Sequence, residues 1–236
     1  MTQLLYRWLP GIPPALQAAI AAAHLDVELM LAPWAGLERP CRGTIMPPDA
    51  QHPAPWPWPE DSELEWARTT LLSWAAASGP PAQVSMDEMI YDAQGCRRRL
   101  SLLWLERELF PGVPRAALGV PSDPGSRPLA GSVEYAGSLC YLWQGQPETV
   151  AMLWSGKLAG IGRGRDLPLC IYVNPLRHPI GSGVPQPLPA ATMRRVWTAI
   201  RDNLAPERVS LWMGDILPEW VPVHVLGVQI MREIFG

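Results

Sequence analysis

Val84-Ser85-Met86-Asp87-Glu88-Met89-Ile90-Tyr91, followed by Asp92-Ala93-Gln94-Gly95 and then by Cys96-Arg97-Arg98-Arg99-Leu100-Ser101-Leu102-Leu103-Trp104, is the stretch on which the expected fold turns. Val84, Met86, Glu88 and Ile90 alternate with Ser85, Asp87, Met89 and Tyr91, and Leu100, Leu102 and Trp104 alternate with Arg99, Ser101 and Leu103. Neighbouring side chains of a strand point to opposite faces, so a period of two marks a strand. Asp92 to Gly95 supply turn-forming residues between two such runs, which predicts a hairpin and hence antiparallel neighbours. Arg97, Arg98 and Arg99 then read either as a charged hairpin edge that discourages strand-to-strand aggregation or as a contact for an acidic partner.

Working outward, Leu4 to Leu9 reads as a short strand, Pro10-Gly11 as a turn, and Pro13-Pro14 as the start of a helix reaching about His24, since proline suits a first helical turn. Residues 33–59 form a Pro/Trp-rich loop that carries Trp56 and Trp58, because its prolines supply no backbone donors to a ladder or helix. Asp61 and Ser62 precede a helix with Leu64, Ala67, Leu71 and Trp74 or Ala75 on one face, stopped by Gly79-Pro80-Pro81. Phe110 to Pro128 reads as irregular. Ser132–Tyr135 and Leu139–Trp143 read as strands about a turn at Gly137, Gln146–Trp154 as a short helix, and Leu167–Val173 as a strand.

Met193, Val196, Trp197, Ile200 and Leu204 define the apolar face of a helix over Ala190–Leu204, and Pro206 prevents its continuation. Val209, Leu211 and Met213 alternate with Arg208, Ser210 and Trp212 as in a strand, whereas Val221–Phe235 fits strand and helix alike. Local hairpins with helices interspersed irregularly predict an α+β fold. The expectation is one domain over residues 1–236, with a mixed, largely antiparallel sheet and helices packed against it.

Apolar residues make up 48% of the 236, enough for a chain of this size to remove roughly 70–75% of its extended surface from water. A net charge of -3 provides no broad basic field and argues against direct nucleic-acid binding. Cys41, Cys96, Cys140 and Cys170 form no Cys-x-x-Cys pair and lie near no histidine, so they predict no zinc site and suit a reducing compartment. Leu16 to Ala23 lacks the flanks of a signal peptide, and no apolar run approaches the roughly 18 residues of a membrane span. The expectation is a cytoplasmic protein without membrane contact.

The chemistry-bearing patterns are incomplete. Gly160-Ile161-Gly162-Arg163-Gly164-Arg165 has neither Walker A nor dinucleotide spacing, no Gly-x-Ser-x-Gly elbow is present, and His24, His52, His178 and His224 show no metal-ligand spacing. Asp87 and Glu88, as strand neighbours, point apart, while Glu106 and Glu108 fall on one face if their segment is a strand. No catalytic residue, metal or cofactor is assigned. Recognition has better material: Trp56 and Trp58 on a proline-stiffened loop beside Glu60, Asp61 and Glu63 form the candidate partner-binding patch. The alternative for the tryptophans is packing over the core, and for the acids a favourable start to the following helix.

Met193-Arg194-Arg195-Val196-Trp197-Thr198-Ala199-Ile200, the break Ala205-Pro206-Glu207 and the strand Val209-Ser210-Leu211-Trp212 together resemble the bacterial polymorphic-toxin immunity family paired with Tox-REase-5 nuclease toxins. The resemblance implies a non-catalytic cytoplasmic protein that neutralises a cognate type VI secreted toxin, a nuclease, by direct binding, with mild acidity complementing a basic partner. The competing readings are a hydrolase or transferase in which Asp87, Glu88, Glu106, Glu108 and His178 converge only in the fold, and an adaptor subunit of a secretion assembly.

Overall fold

Leu4 and Tyr6 lie on one side of the first strand, β1 (Gln3–Arg7), within the largest apolar cluster, while Leu5 lies on the other side in a separate cluster. The chain therefore builds two apolar layers from one strand, as alternation requires of a strand covered on both faces. The computed structural model describes residues 2–31, 61–86, 105–118, 133–143, 167–178, 184–213 and 217–236.

After β1, Pro14 opens α1 (Pro14–Ala22), which buries Leu16 and Ile20, and His24 at a φ of 54° turns the chain into β2 (Asp26–Leu31). Then come α2 (Asp61–Ser78), β3 (Gln83–Met86), a helical segment 105–109, β4 (Arg115–Leu118), β5 (Tyr135–Trp143) and β6 (Leu169–His178). The two-residue β7 (Gln186–Pro187), α3 (Ala190–Leu204), β8 (Arg208–Leu211) and α4 (Val221–Phe235) complete the described elements, with a 3-10 turn at Pro218–Trp220 before α4.

The strands close on themselves. β1 pairs in parallel with β2 and β8, and the parallel ladder continues from β2 through β3, β4, β5 and β6, which returns to β8. The ring has seven parallel strands; β7 lies outside it, antiparallel to β6 at Leu176↔Pro187 and Arg177↔Gln186. Leu5, Met30, Ala116, Cys170, Tyr172 and Trp212 form one apolar cluster with members from β1, β2, β4 and β6 and from just past β8, which places them in the lumen. Outside, α1, α3 and α4 bury Leu16, Ile20, Met193, Val196, Trp197, Ile200, Val228 and Met231 against Ile171, Val173, Val209 and Leu211. On another side Ala67 and Leu71 of α2 pack on Leu29, Val84 and Leu105.

The expected α+β fold with a mixed, largely antiparallel sheet is thus overturned: the architecture is a closed parallel barrel with helices outside. Polar and apolar alternation reads as a sheet with one face in water, but here the polar face lines the lumen, where Glu28, Gln83, Ser85, Arg208 and Ser210 are buried. Gly137 is no turn; it pairs with Cys170 inside the continuous strand β5. The stretch expected to be irregular contains β4. β3 ends at Met86 between two parallel partners, and the remainder of the expected hairpin, residues 87–104, lies outside the described residues. So do the Pro/Trp-rich loop at 33–59, the expected helix Gln146–Trp154 and the glycine-arginine stretch at 160–165.

Val221–Phe235 resolves as a helix because Val223, Val228, Met231 and Phe235, with His224, Gly227, Ile230 and Ile234, recur at helical spacing on its buried side. Burial pulls the His224 imidazole down to about 4, so it packs there uncharged. Among the described residues, no helix is long and apolar enough to cross a membrane.

Candidate functional site

Parallel pairing sends the C-terminal ends of all seven ring strands to one mouth. Glu28, on β2, lies below it in the lumen with no exposed surface. Its Oε1 accepts hydrogen bonds from Gln83 Nε2 and from the Tyr172 hydroxyl, each at 2.7 Å, and its Oε2 accepts one from the Ser210 hydroxyl. Gln83 in turn accepts from Arg208 Nη1 at 2.8 Å, and the Arg208 guanidinium lies 4.2 Å from the Tyr135 ring centre. A buried carboxylate and a buried guanidinium are therefore linked through an amide, so that both charges are hydrogen-bonded in a lumen where an unpaired charge would be costly.

The same burial disarms the other lumen groups. Burial first, and the Glu28 charge next, push the Cys170 thiol up to about 12, so it remains a thiol and no nucleophile. Tyr172 is raised well above the ordinary phenol range by burial and then by Cys170 and Glu28, and it stays a hydrogen-bond donor.

Above this network stands Trp212, which directly follows β8 and is held by its backbone N–H on the Val173 carbonyl at 2.8 Å. Tyr172 meets it edge-on, with ring centres 6.3 Å apart and planes at 83°, and the Arg7 guanidinium lies 4.5 Å from its ring centre. Arg7 ends β1, so guanidinium, indole and phenol rings from three strands meet at the mouth end of the lumen. On one side β5 and β6, at nine and ten residues, continue past the last β6–β8 partner, Val173↔Leu211, and carry the ladder to Leu142↔Arg177 and Trp143↔His178. The rim is higher there.

The sequence-based candidates fall elsewhere. Trp56, Trp58 and Glu60 lie outside the described residues; Asp61 and Glu63 begin α2 on the outside of the barrel, with side chains that are likewise not described. Glu106 and Glu108 sit on the helical segment 105–109 rather than on a strand and diverge. Glu106 is buried and Glu108 is exposed, accepting from Arg68 Nη2 at 3.0 Å. His178 is the last residue of β6. Asp87 and Glu88 lie outside the described residues and directly follow Met86, the end of β3. Among the described residues no group of histidine, cysteine and carboxylate side chains fits a metal ion.

Arg7, Glu28, Gln83, Tyr172 and Ser210 were not singled out by the sequence. The signal that was available is Asp26-Val27-Glu28-Leu29-Met30-Leu31, whose alternation puts the buried Glu28 and Met30 on the lumen face, with Asp26 exposed at its end.

No protein-family model and no curated protein matches the chain. Solved structures do. The chain is similar to bee venom hyaluronidase, with a TM-score of 0.61 and 10% identity over 98% of this chain and 97% of that one. It is also similar to an endo-β-1,3-glucanase from Amycolatopsis mediterranei, with a TM-score of 0.51 and 12% identity over 95% and 99% of the two chains. The spore cortex-lytic enzyme of Bacillus megaterium matches with a TM-score of 0.54 and 7% identity over 99% of this chain and 66% of its own. These likenesses establish a TIM-barrel-like fold.

They also correct the immunity-protein expectation. The helix, Pro206 and strand that carried that resemblance are α3 and β8 of the barrel, an outer helix followed by the strand that completes the ring. With them fall the toxin-neutralising role, the nuclease partner and the non-catalytic assignment, since a helix-to-strand connection of this kind recurs throughout βα barrels.

Proposed function

We propose that this chain is a carbohydrate-active enzyme, a glycoside hydrolase that binds and cleaves its substrate at the C-terminal mouth of the barrel. The observation that carries the reading is the end-to-end agreement with bee venom hyaluronidase, over 98% of one chain and 97% of the other. A barrel by itself hosts many chemistries, so the mouth must fit as well. A pyranose ring has an apolar C–H face and a rim of hydroxyls. Trp212 and Arg7, only 8% and 4% exposed, stack on each other at the mouth end of the lumen, so the pair would floor the site beneath such a ring, with an indole and a guanidinium at its exposed margin.

Active sites of parallel barrels draw their catalytic groups from the C-terminal ends of strands. Glycosidic cleavage needs a carboxylic acid that protonates the leaving oxygen while water replaces the leaving sugar at the anomeric carbon. Asp87 and Glu88, the first two residues after β3 in the sequence, are the carboxylates to test.

The test is reducing-end release by the purified chain from hyaluronan, β-1,3-glucan and chitin oligosaccharides. The expected result is cleavage of at least one, with Asp87→Asn or Glu88→Gln slowing it by about 10²-fold or more, the range of a lost general acid. Folded protein that cleaves none of them, or cleavage undiminished in both variants, would overturn the reading.

A further inference from the structure

Tyr172 is fully buried, and its two side-chain torsions are fixed at both ends of the ring: the hydroxyl lies 2.7 Å from Glu28 Oε1, and the ring stands edge-on to Trp212. A carboxylate only accepts, so the phenolic proton is committed to Glu28. Gln83 Nε2 donates to the same oxygen and lies 3.3 Å from the Tyr172 oxygen, bracing the pair from β3, while Ser210 occupies the second carboxylate oxygen from β8. The Tyr172 hydroxyl therefore has no proton left for a bound molecule. What Tyr172 offers the mouth is the edge of its ring.

We infer that Glu28 is a positioning residue: acting through the Tyr172 hydroxyl, it sets the height and tilt of the nearly buried Trp212 ring that floors the mouth beneath the carbohydrate. The carbohydrate in this statement rests on the proposed function; the coupling from Glu28 to Trp212 does not. Glu28 is well placed for the role because β2, β3, β6 and β8 all contribute to its hydrogen bonds, so its position is referred to the barrel as a whole rather than to one loop. Precise support of this kind from beneath is what a binding floor requires.

The experiment uses the full chain labelled with 5-fluorotryptophan. The Trp212 fluorine resonance is identified by its loss in Trp212→Phe. Tyr172→Phe removes the hydroxyl and leaves the ring. Glu28→Ala removes the acceptor and leaves the tyrosine intact. Glu28→Gln keeps an acceptor toward Tyr172 and presents its amide group to Ser210, whose hydroxyl can accept.

The expected result is a Trp212 resonance that shifts or broadens in Tyr172→Phe and in Glu28→Ala and stays within a line width of the parent in Glu28→Gln. On a cleaved glycan, Tyr172→Phe is expected to lower kcat/KM by about tenfold, chiefly through KM. A Trp212 resonance unmoved in Tyr172→Phe or in Glu28→Ala, or moved as far in Glu28→Gln, overturns the inference. The fluorine spectrum needs no substrate, so a protein that cleaves nothing would sink the hydrolase reading while the spectrum still decides the role of Glu28.

Discussion

Glu106 has no exposed surface, and neither of its carboxylate oxygens has a hydrogen-bond partner. Burial raises its carboxyl to about 8, with the Arg115 charge pulling it down and the Glu28 charge pushing it up. The sign of the consequence follows from proton linkage. Below the ordinary carboxyl range near 4.5 both folded and unfolded chains hold the proton, and the ionisation takes nothing from stability. Between there and about 8 the unfolded chain has released its proton while the folded one keeps it, so stability falls as pH rises, by up to roughly 1.4 kcal/mol per pH unit. Glu106→Gln keeps the shape without the ionisation. Thermal melts at pH 4.5 and pH 8.5 are expected to show little difference from the parent at the lower pH and a more stable variant at the higher. Equal melting shifts at both pH values would mean that the carboxyl does not hold its proton in the fold. A buried acid of this kind is invisible in sequence, because Glu106-Arg107-Glu108 reads as an exposed charged run until Leu105 is seen packing into the α2 cluster.

At the scale of elements, α4 is seated by a glycine. A Cβ added at Gly227 would lie 3.1 Å from Pro175 Cβ and 3.7 Å from Leu211 Cδ1, so α4 approaches β6 and β8 with no room for a branched side chain. Alanine there would gain up to about 1 kcal/mol of helix propensity and lose part of it to that contact. Leucine would overfill the gap, at a cost of about 1–3 kcal/mol. Urea denaturation should place Gly227→Leu below the parent by that amount and Gly227→Ala within about 1 kcal/mol of it; a leucine variant as stable as the parent would show slack between helix and barrel. The elements legible in the sequence are those with an apolar face and clean ends: α1 after Pro13, α3 between Pro189 and Pro206, and β6 with its run Leu169 to Val173. β2 and β4 were missed for physical reasons. Asp26 and Glu28 interrupt the apolar pattern of β2, although a lumen tolerates an acid such as Glu28 that neighbours satisfy. β4 is four residues long inside a proline- and glycine-rich stretch, too short for any periodicity to register.

For the whole molecule, alternation reports which side chains share a face and is silent about the direction of the neighbouring strand, which is why a parallel ring was mistaken for antiparallel hairpins. The candidate mouth was hidden for the same reason: Arg7, Tyr172 and Trp212 are far apart in sequence and meet only when the ring closes. Closure itself yields a prediction. The seam between the first and last ring strands pairs Gln3 to Tyr6 with Arg208 to Leu211, and Gln3 N donates to the Glu207 carbonyl at 2.9 Å. Removing residues 207–236 would leave β1 and β6 with open edges and strip Val209, Leu211, Val228, Met231 and Phe235 from the outer core that α1 and α3 also share. Two exposed parallel edges and an uncovered apolar layer are aggregation-prone and lack the contacts of a stable sheet. The truncated chain is therefore expected to lose the cooperative thermal transition of the full one, as read by calorimetry. If residues 1–206 melted in a single sharp step, the first six strands would form a stable open sheet on their own, and the ring closure would be an addition to the fold rather than its condition.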